Sequence, residues 1–182
     1  MTGMKGVLAA GALGILAACG AGVGAQGSPQ PRAFSTPIYD AAGNTVGQLT
    51  LTQQGRDSVR VTVESTRLPA GVHGTHLHTT GRCDPPGFTT AGGHLNPTAR
   101  QHGMRNPRGP HLGDLPNLTV GADGRGTMTA TVAGSTTPGQ APLFDADGTS
   151  LVVHAGADDM MTDPAGNSGA RIACTVVAAP TT

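Results

Sequence analysis

The sequence predicts an all-β domain, an antiparallel sandwich or barrel of short strands. Three observations carry this. Glycine and proline supply 29 and 14 of the 182 residues, which cuts the chain into short runs separated by turns. Aromatics are 2% of the chain and tryptophan is absent, so a helical bundle packed from large side chains is excluded. Apolar residues recur at period two: in Ser58–Glu64, Val59, Val61 and Val63 fall on one face and Arg60, Thr62 and Glu64 on the other.

The elements follow in order. Strands are expected at Phe34–Asp40, Thr45–Gln53, Ser58–Arg67 and Val72–His78, then at Leu118–Val120, Arg125–Ala133, Ser150–His154 and Arg171–Ala178. Turn residues separate them at Ala42-Gly43-Asn44, Gln54-Gly55-Arg56 and Ala122-Asp123-Gly124. The 24 threonines suit half-buried pleated surfaces. Two segments break the rhythm, Thr79–Pro116 and Ala155–Gly169. Long irregular connections inside a small domain are uncommon and usually functional or disordered, and the histidine, glycine and proline content here points to function.

Charge narrows the partners. Eleven basic residues balance eleven acidic ones, so there is no excess of cations for nucleic acid. Lys5 is the only lysine. Residues 1–18 carry that one charge before an apolar run ending Leu16-Ala17-Ala18-Cys19, which fits a secretory signal and is too short to span a bilayer comfortably. Small residues directly before a cysteine resemble a bacterial lipoprotein signal, in which Cys19 becomes the acylated first residue of the mature chain. An ordinary signal peptide with an incidental cysteine is the alternative. Residues 19–32 read as a flexible tether, and 33–182 as the folded domain. The expected location is therefore the cell envelope or periplasm, with a lipid on Cys19 holding the protein to the membrane.

The chemistry lies in the histidines. All seven fall between residues 73 and 154: His73, His76, His78, His94, His102, His111 and His154. His76 and His78 are two apart on a strand and so share a face, able to reach one metal ion. His94, His102, His111 and Asp114 make a closed set of three imidazoles and one carboxylate suited to zinc, whose binding energy can hold an irregular loop. His154 ends a strand and offers the first ion a further imidazole. Several nitrogens with an open position suit copper.

The segments GVHGTHLH, AGGHLNP, HLGDLPNL, LVVHAGADD and GNSGARIACTVV together resemble the copper/zinc superoxide dismutase family, in consistent order from about Val59 to Ala178. The resemblance implies an eight-stranded Greek-key β-barrel with a long zinc-binding loop and a shorter substrate-guiding loop. It implies copper on His76, His78, His94 and His154, zinc on His94, His102, His111 and Asp114, and His94 as the imidazolate bridge. Asp158 matches a carboxylate linking a copper histidine to a zinc histidine. Arg171 matches the arginine that attracts the superoxide anion, and His73 a structural position. Cys83 and Cys174 match a disulfide pair. The implied activity is dismutation of superoxide to oxygen and hydrogen peroxide, with Arg171 and His94 taking part.

Other readings of the same residues are a copper buffer in the envelope and a β-domain merely stabilised by zinc. A homodimer is compatible with the sequence without being dictated by it. Asp159 and Asp163 read as solvated loop acids, and Met160-Met161 as loop packing. Two departures from the family pattern stand out. Ala165 occupies a position where the family often has threonine. The segment between His154 and Arg171 has no lysine or arginine and three acids, Asp158, Asp159 and Asp163. Any field attracting an anion would then come from the metals, Arg171 and whichever of Arg100, Arg105 and Arg108 face the mouth.

Overall fold

The computed structural model describes residues 1–3, 33–137 and 139–178. The chain divides into two units, Met1–Gln30 and Pro31–Thr182. Of the first unit only Met1, Thr2 and Gly3 are described, so the signal segment, the tether and Cys19 lie outside the described residues. Among those residues no helix is long and apolar enough to cross a membrane.

Among its described residues the second unit holds nine strands: β1 (Ala33–Asp40), β2 (Thr45–Gln54), β3 (Ser58–Ser65), β4 (Gly71–His73), β5 (Thr75–His78), β6 (Leu118–Val120), β7 (Gly126–Ala133), β8 (Thr149–His154) and β9 (Arg171–Ala178). All strand pairs are antiparallel. Seven strands form one curled sheet in the order β5-β8-β9-β1-β2-β3-β7, and β4 pairs with β6. The crossovers give the Greek-key barrel that the family resemblance implies.

Alternation positions the core. Val59, Val61 and Val63 of β3 are fully buried, and their cross-strand partners include Leu49 and Leu51 of β2, also fully buried. Each such side chain contributes about 1.5–3 kcal/mol relative to exposure. The β1–β2 turn is fixed by its own residues: Asp40 Oδ1 accepts hydrogen bonds from the Ala42 and Asn44 amides, both 2.9 Å. β8 departs from the pattern, for all six of its residues are buried.

One expected strand is two. Val72–His78 divides at Gly74, because β4 belongs to the small sheet and β5 to the large one. At the switch the Gly74 amide donates to Gly156 O (2.8 Å) and Gly74 O accepts from the His154 amide (2.9 Å). A Cβ on Gly74 would stand 2.8 Å from Ser168 Cβ, so the second loop packs there only against glycine. The split leaves β5 beside β8, which brings His76 and His78 next to His154.

The long loop is pinned to β5 by backbone. Leu95 N donates to Leu77 O (2.8 Å) and Leu77 N to Gly113 O (2.9 Å). Its near end is joined to β9 by the Cys83–Cys174 disulfide, Cα to Cα 5.8 Å. A short 3-10 turn at Thr89–Ala91, not foreseen in the sequence, packs beside this bond.

Candidate metal centre

Six histidines and two aspartates converge between β5, the end of β8 and the two loops. His76, His78, His94, His102, His111, His154, Asp114 and Asp158 are all buried. Ligand atoms of His76, His78, His94 and His154 lie within 4.8 Å of one another. His73 stands apart. Its ring nitrogens lie 2.8 Å from His154 O and 2.9 Å from Pro69 O, so it is a structural residue, as expected.

Hydrogen bonds fix which nitrogen of each ring is free. His76 Nε2 donates to Asp158 Oδ2 (2.8 Å), leaving Nδ1. His78 Nδ1 donates to Gly92 O (2.9 Å), leaving Nε2. His154 Nδ1 donates to Gly169 O (3.1 Å), leaving Nε2. The remaining atoms, His76 Nδ1, His78 Nε2, His94 Nε2 and His154 Nε2, are buried and have no hydrogen-bond partner. Four buried lone pairs aimed at one point are costly unless something binds them. This donor set fits copper.

The second set gathers on one oxygen. Asp114 Oδ1 lies 2.9 Å from His94 Nδ1, 3.0 Å from His102 Nδ1 and 3.2 Å from His111 Nδ1. Its Oδ2 accepts from the amides of Gly103 (2.8 Å) and His111 (3.0 Å). Three nitrogens and one carboxylate oxygen fit zinc. His76 also comes within 4.8 Å of His94, His102 and Asp114. Its ring stacks on His94 with centroids 3.9 Å apart, but its Nε2 is committed to Asp158, so His111 completes this set.

Burial sets the protonation. Desolvation drives His76 down to about 4 despite its bond to Asp158, His154 to about 4 and His78 to about 2. The imidazoles are thus neutral at pH 7, as ligands must be. Burial alone would raise Asp114, but the His94 hydrogen bond and the Gly103 amide outweigh it and hold the carboxylate ionised.

Asp158 ties the sets together. Its Oδ2 takes the His76 bond and its Oδ1 accepts from His102 Nε2 (2.9 Å). Such partners orient ligand rings. Asn117 grips it in turn, Nδ2 donating to Asp158 O and Oδ1 accepting from the Asp158 amide, both 2.9 Å. Gly166, at φ +60°, leaves room for it: a Cβ there would stand 2.6 Å from His102 Nε2. Sequence reasoning missed both residues, although Asn117 lies inside the HLGDLPNL segment.

Arg171 enters β9 beside His154. Its Nη1 donates to Phe88 O and Nη2 to Gly92 O, both 2.7 Å. A cavity of about 370 Å³ is lined by Arg171, His78, His94, His154, Arg100 and Asp163, among others. A larger groove of about 500 Å³ runs along Met104, Pro110, Leu112 and Thr131; it borders His111 and Asp114 of the second set but none of His76, His78, His94 and His154. Arg105 and Arg108 line neither.

Two loop acids do more than meet solvent. Asp163 Oδ1 accepts from the His102 amide (2.6 Å) while its side chain remains 45% exposed. Asp159 accepts from the amides of Met161 (2.9 Å) and Thr162 (2.8 Å), capping a turn that the sequence reading left to solvent. Of the methionine pair, Met160 is buried in loop packing and Met161 is exposed.

Fold and site define a β-barrel protein with adjoining four-nitrogen and three-nitrogen, one-carboxylate metal sites. A family model described as copper/zinc superoxide dismutase (SODC) matches residues 45–177. Superoxide dismutase (Cu-Zn) 1 of Aquifex aeolicus is 41% identical over 145 residues, 77% of this chain and 84% of that one. Superoxide dismutase (Cu-Zn) of Caulobacter vibrioides is 40% identical over 139 residues, 74% and 79% of the two chains. Among solved structures, a SOD-like protein from Bacillus subtilis aligns with TM-score 0.70 at 34% identity, covering 79% of this chain and 97% of that one. The chain belongs to the copper/zinc superoxide dismutase family: an enzyme whose metals are copper and zinc.

Proposed function

We propose that the protein dismutates superoxide to oxygen and hydrogen peroxide at a copper joined to zinc through His94, in the bacterial cell envelope. The observation that carries the chemistry is the four convergent, unpartnered imidazole nitrogens with Arg171 on the same cavity wall. Copper, when bound, supplies one-electron chemistry, taking an electron from one superoxide and giving it to a second.

The chain's own residues do the rest. Arg171, held by two backbone carbonyls, presents a fixed cation to the incoming anion. His94 faces the first set with Nε2 and the second with Nδ1, the disposition that a bridging ring requires. Its Nε2 is the atom that can hold a proton at the cavity and deliver it as peroxide forms. Two superoxide anions and two protons give one oxygen and one peroxide, so the protons balance through this nitrogen and solvent. The test is superoxide removal after loading with copper and zinc. Rapid removal is expected, and its absence in protein with both metals bound would overturn the reading in favour of metal storage.

The envelope location rests on the apolar run before Cys19 and gains support from the Cys83–Cys174 disulfide, which suits an oxidising compartment. Cys19→Ser is expected to release the protein from membranes with its metal content intact. A wild-type mature chain without lipid by mass spectrometry would refute the anchor.

A further inference from the structure

Resting on that reading, we infer that Arg100 is a second guide for the anion, standing on the zinc-loop side of the mouth where the other loop offers no cation. The cavity that reaches His78, His94 and His154 of the copper set is lined by two cations, Arg171 and Arg100, and one acid, Asp163. Those are the charged side chains facing it besides the metal ligands themselves. From Ala155 to Ala170 the second loop contains no lysine or arginine. Arg171 is partly buried and bound at both ends of its guanidinium, so its field acts close to the metal. Arg100 is exposed, so it meets an anion earlier.

Arg100 is also held in place. The Asn96 side chain brackets its backbone, Oδ1 accepting from the Arg100 amide (3.0 Å) and Nδ2 donating to Arg100 O (2.8 Å). Its Nε donates to Gly109 O (2.9 Å), and Nη2 reaches the same carbonyl. The residue borders the neighbouring apolar groove as well, so it stands in the wall between the two hollows. A cation fixed by neutral carbonyls keeps its full charge toward the mouth, unlike one spent on a carboxylate. Arg82 is such a spent cation, its Nη2 2.7 Å from Asp84 Oδ2. Asp163 is an acid on the same cavity lining and makes a second cation more consequential.

The experiment compares Arg100→Gln, Arg100→Met and Arg100→Lys with wild type, and uses Arg125→Gln, in the β6–β7 turn, as a remote control. All are assayed in the copper- and zinc-loaded form, in zinc-saturated buffer. Two readouts are taken: superoxide removal against ionic strength, and azide affinity followed by the visible absorption of copper. Both neutral variants are expected to be about two- to threefold slower at low salt and to converge on wild type at high salt, since steering by exposed charges is screened. Azide should bind correspondingly more weakly, Arg100→Lys should restore both readouts, and Arg125→Gln should leave both unchanged. Wild-type salt slope and azide affinity in the two neutral variants would overturn the inference. Failure of the wild type to remove superoxide would sink the proposed function instead, while azide affinity would still judge Arg100.

Discussion

Breaking the Cys83–Cys174 bond should cost the metal-free protein about as much as the most damaging single side-chain deletions in the barrel core. The two cysteines are 91 residues apart in sequence. On the chain-entropy model a loop of that size restrains the unfolded state by about 4.6 kcal/mol at 25 °C. For a domain of this size each kcal/mol moves Tm by about 2–4 °C, which predicts a fall of about 9–18 °C. The effect should reach the cavity as well. The bond holds the segment carrying Phe88 and Gly92 against β9. Gly92 O accepts from both His78 Nδ1 (2.9 Å) and Arg171 Nη2 (2.7 Å). The assay is calorimetry of the metal-free chain, oxidised and then reduced under denaturant-free conditions, followed by metal loading and activity. A reduced form melting within about 2 °C of the oxidised form would refute the entropic reasoning.

Other outcomes are expected. His154→Ala should lose most activity and copper while zinc and the fold persist; full activity with normal copper content would refute its place in the set. The metal-free protein should lose stability as pH falls below about 6.5. The folded-state values of His76 and His154 lie near 4, below the ordinary histidine value, so the unfolded chain takes up protons first across that window. The slope is up to about 1.4 kcal/mol per pH unit for each histidine, and a melting temperature unchanged from pH 7 to pH 5 would contradict it. Gly166→Ala should weaken retention of both metals, because its Cβ displaces Asp158 and His102 together; unchanged metal affinities would show that the loop yields instead.

The strands were legible because period-two alternation is a local property: Val59, Val61 and Val63 announce β3 without reference to any partner. The break at Gly74 was not, because it depends on which sheet each half joins and on Ser168 packing against it. The ligands were legible from spacing and from the family resemblance, since a ligand set fixes residue types. Their supports were harder to see. Gly166 matters for a side chain it lacks, and Asp163 accepts a hydrogen bond from the His102 amide, which only the folded loops bring near. Arg100, one of four arginines in the first loop, could be singled out only once Gly109 and Asn96 were seen to hold it.

Asp158 makes the two metals thermodynamic partners. One carboxylate orients a ring from each set, His76 by Oδ2 and His102 by Oδ1. Filling the zinc site immobilises His102 and thereby Asp158, so the copper site inherits part of its ordering at no further entropic cost. Linkage is reciprocal: whatever factor zinc adds to copper affinity, copper must add to zinc affinity. A chain that must collect two different ions gains from this. The first ion captured prepares the pocket for the second, and the singly loaded state is the one most depleted at equilibrium.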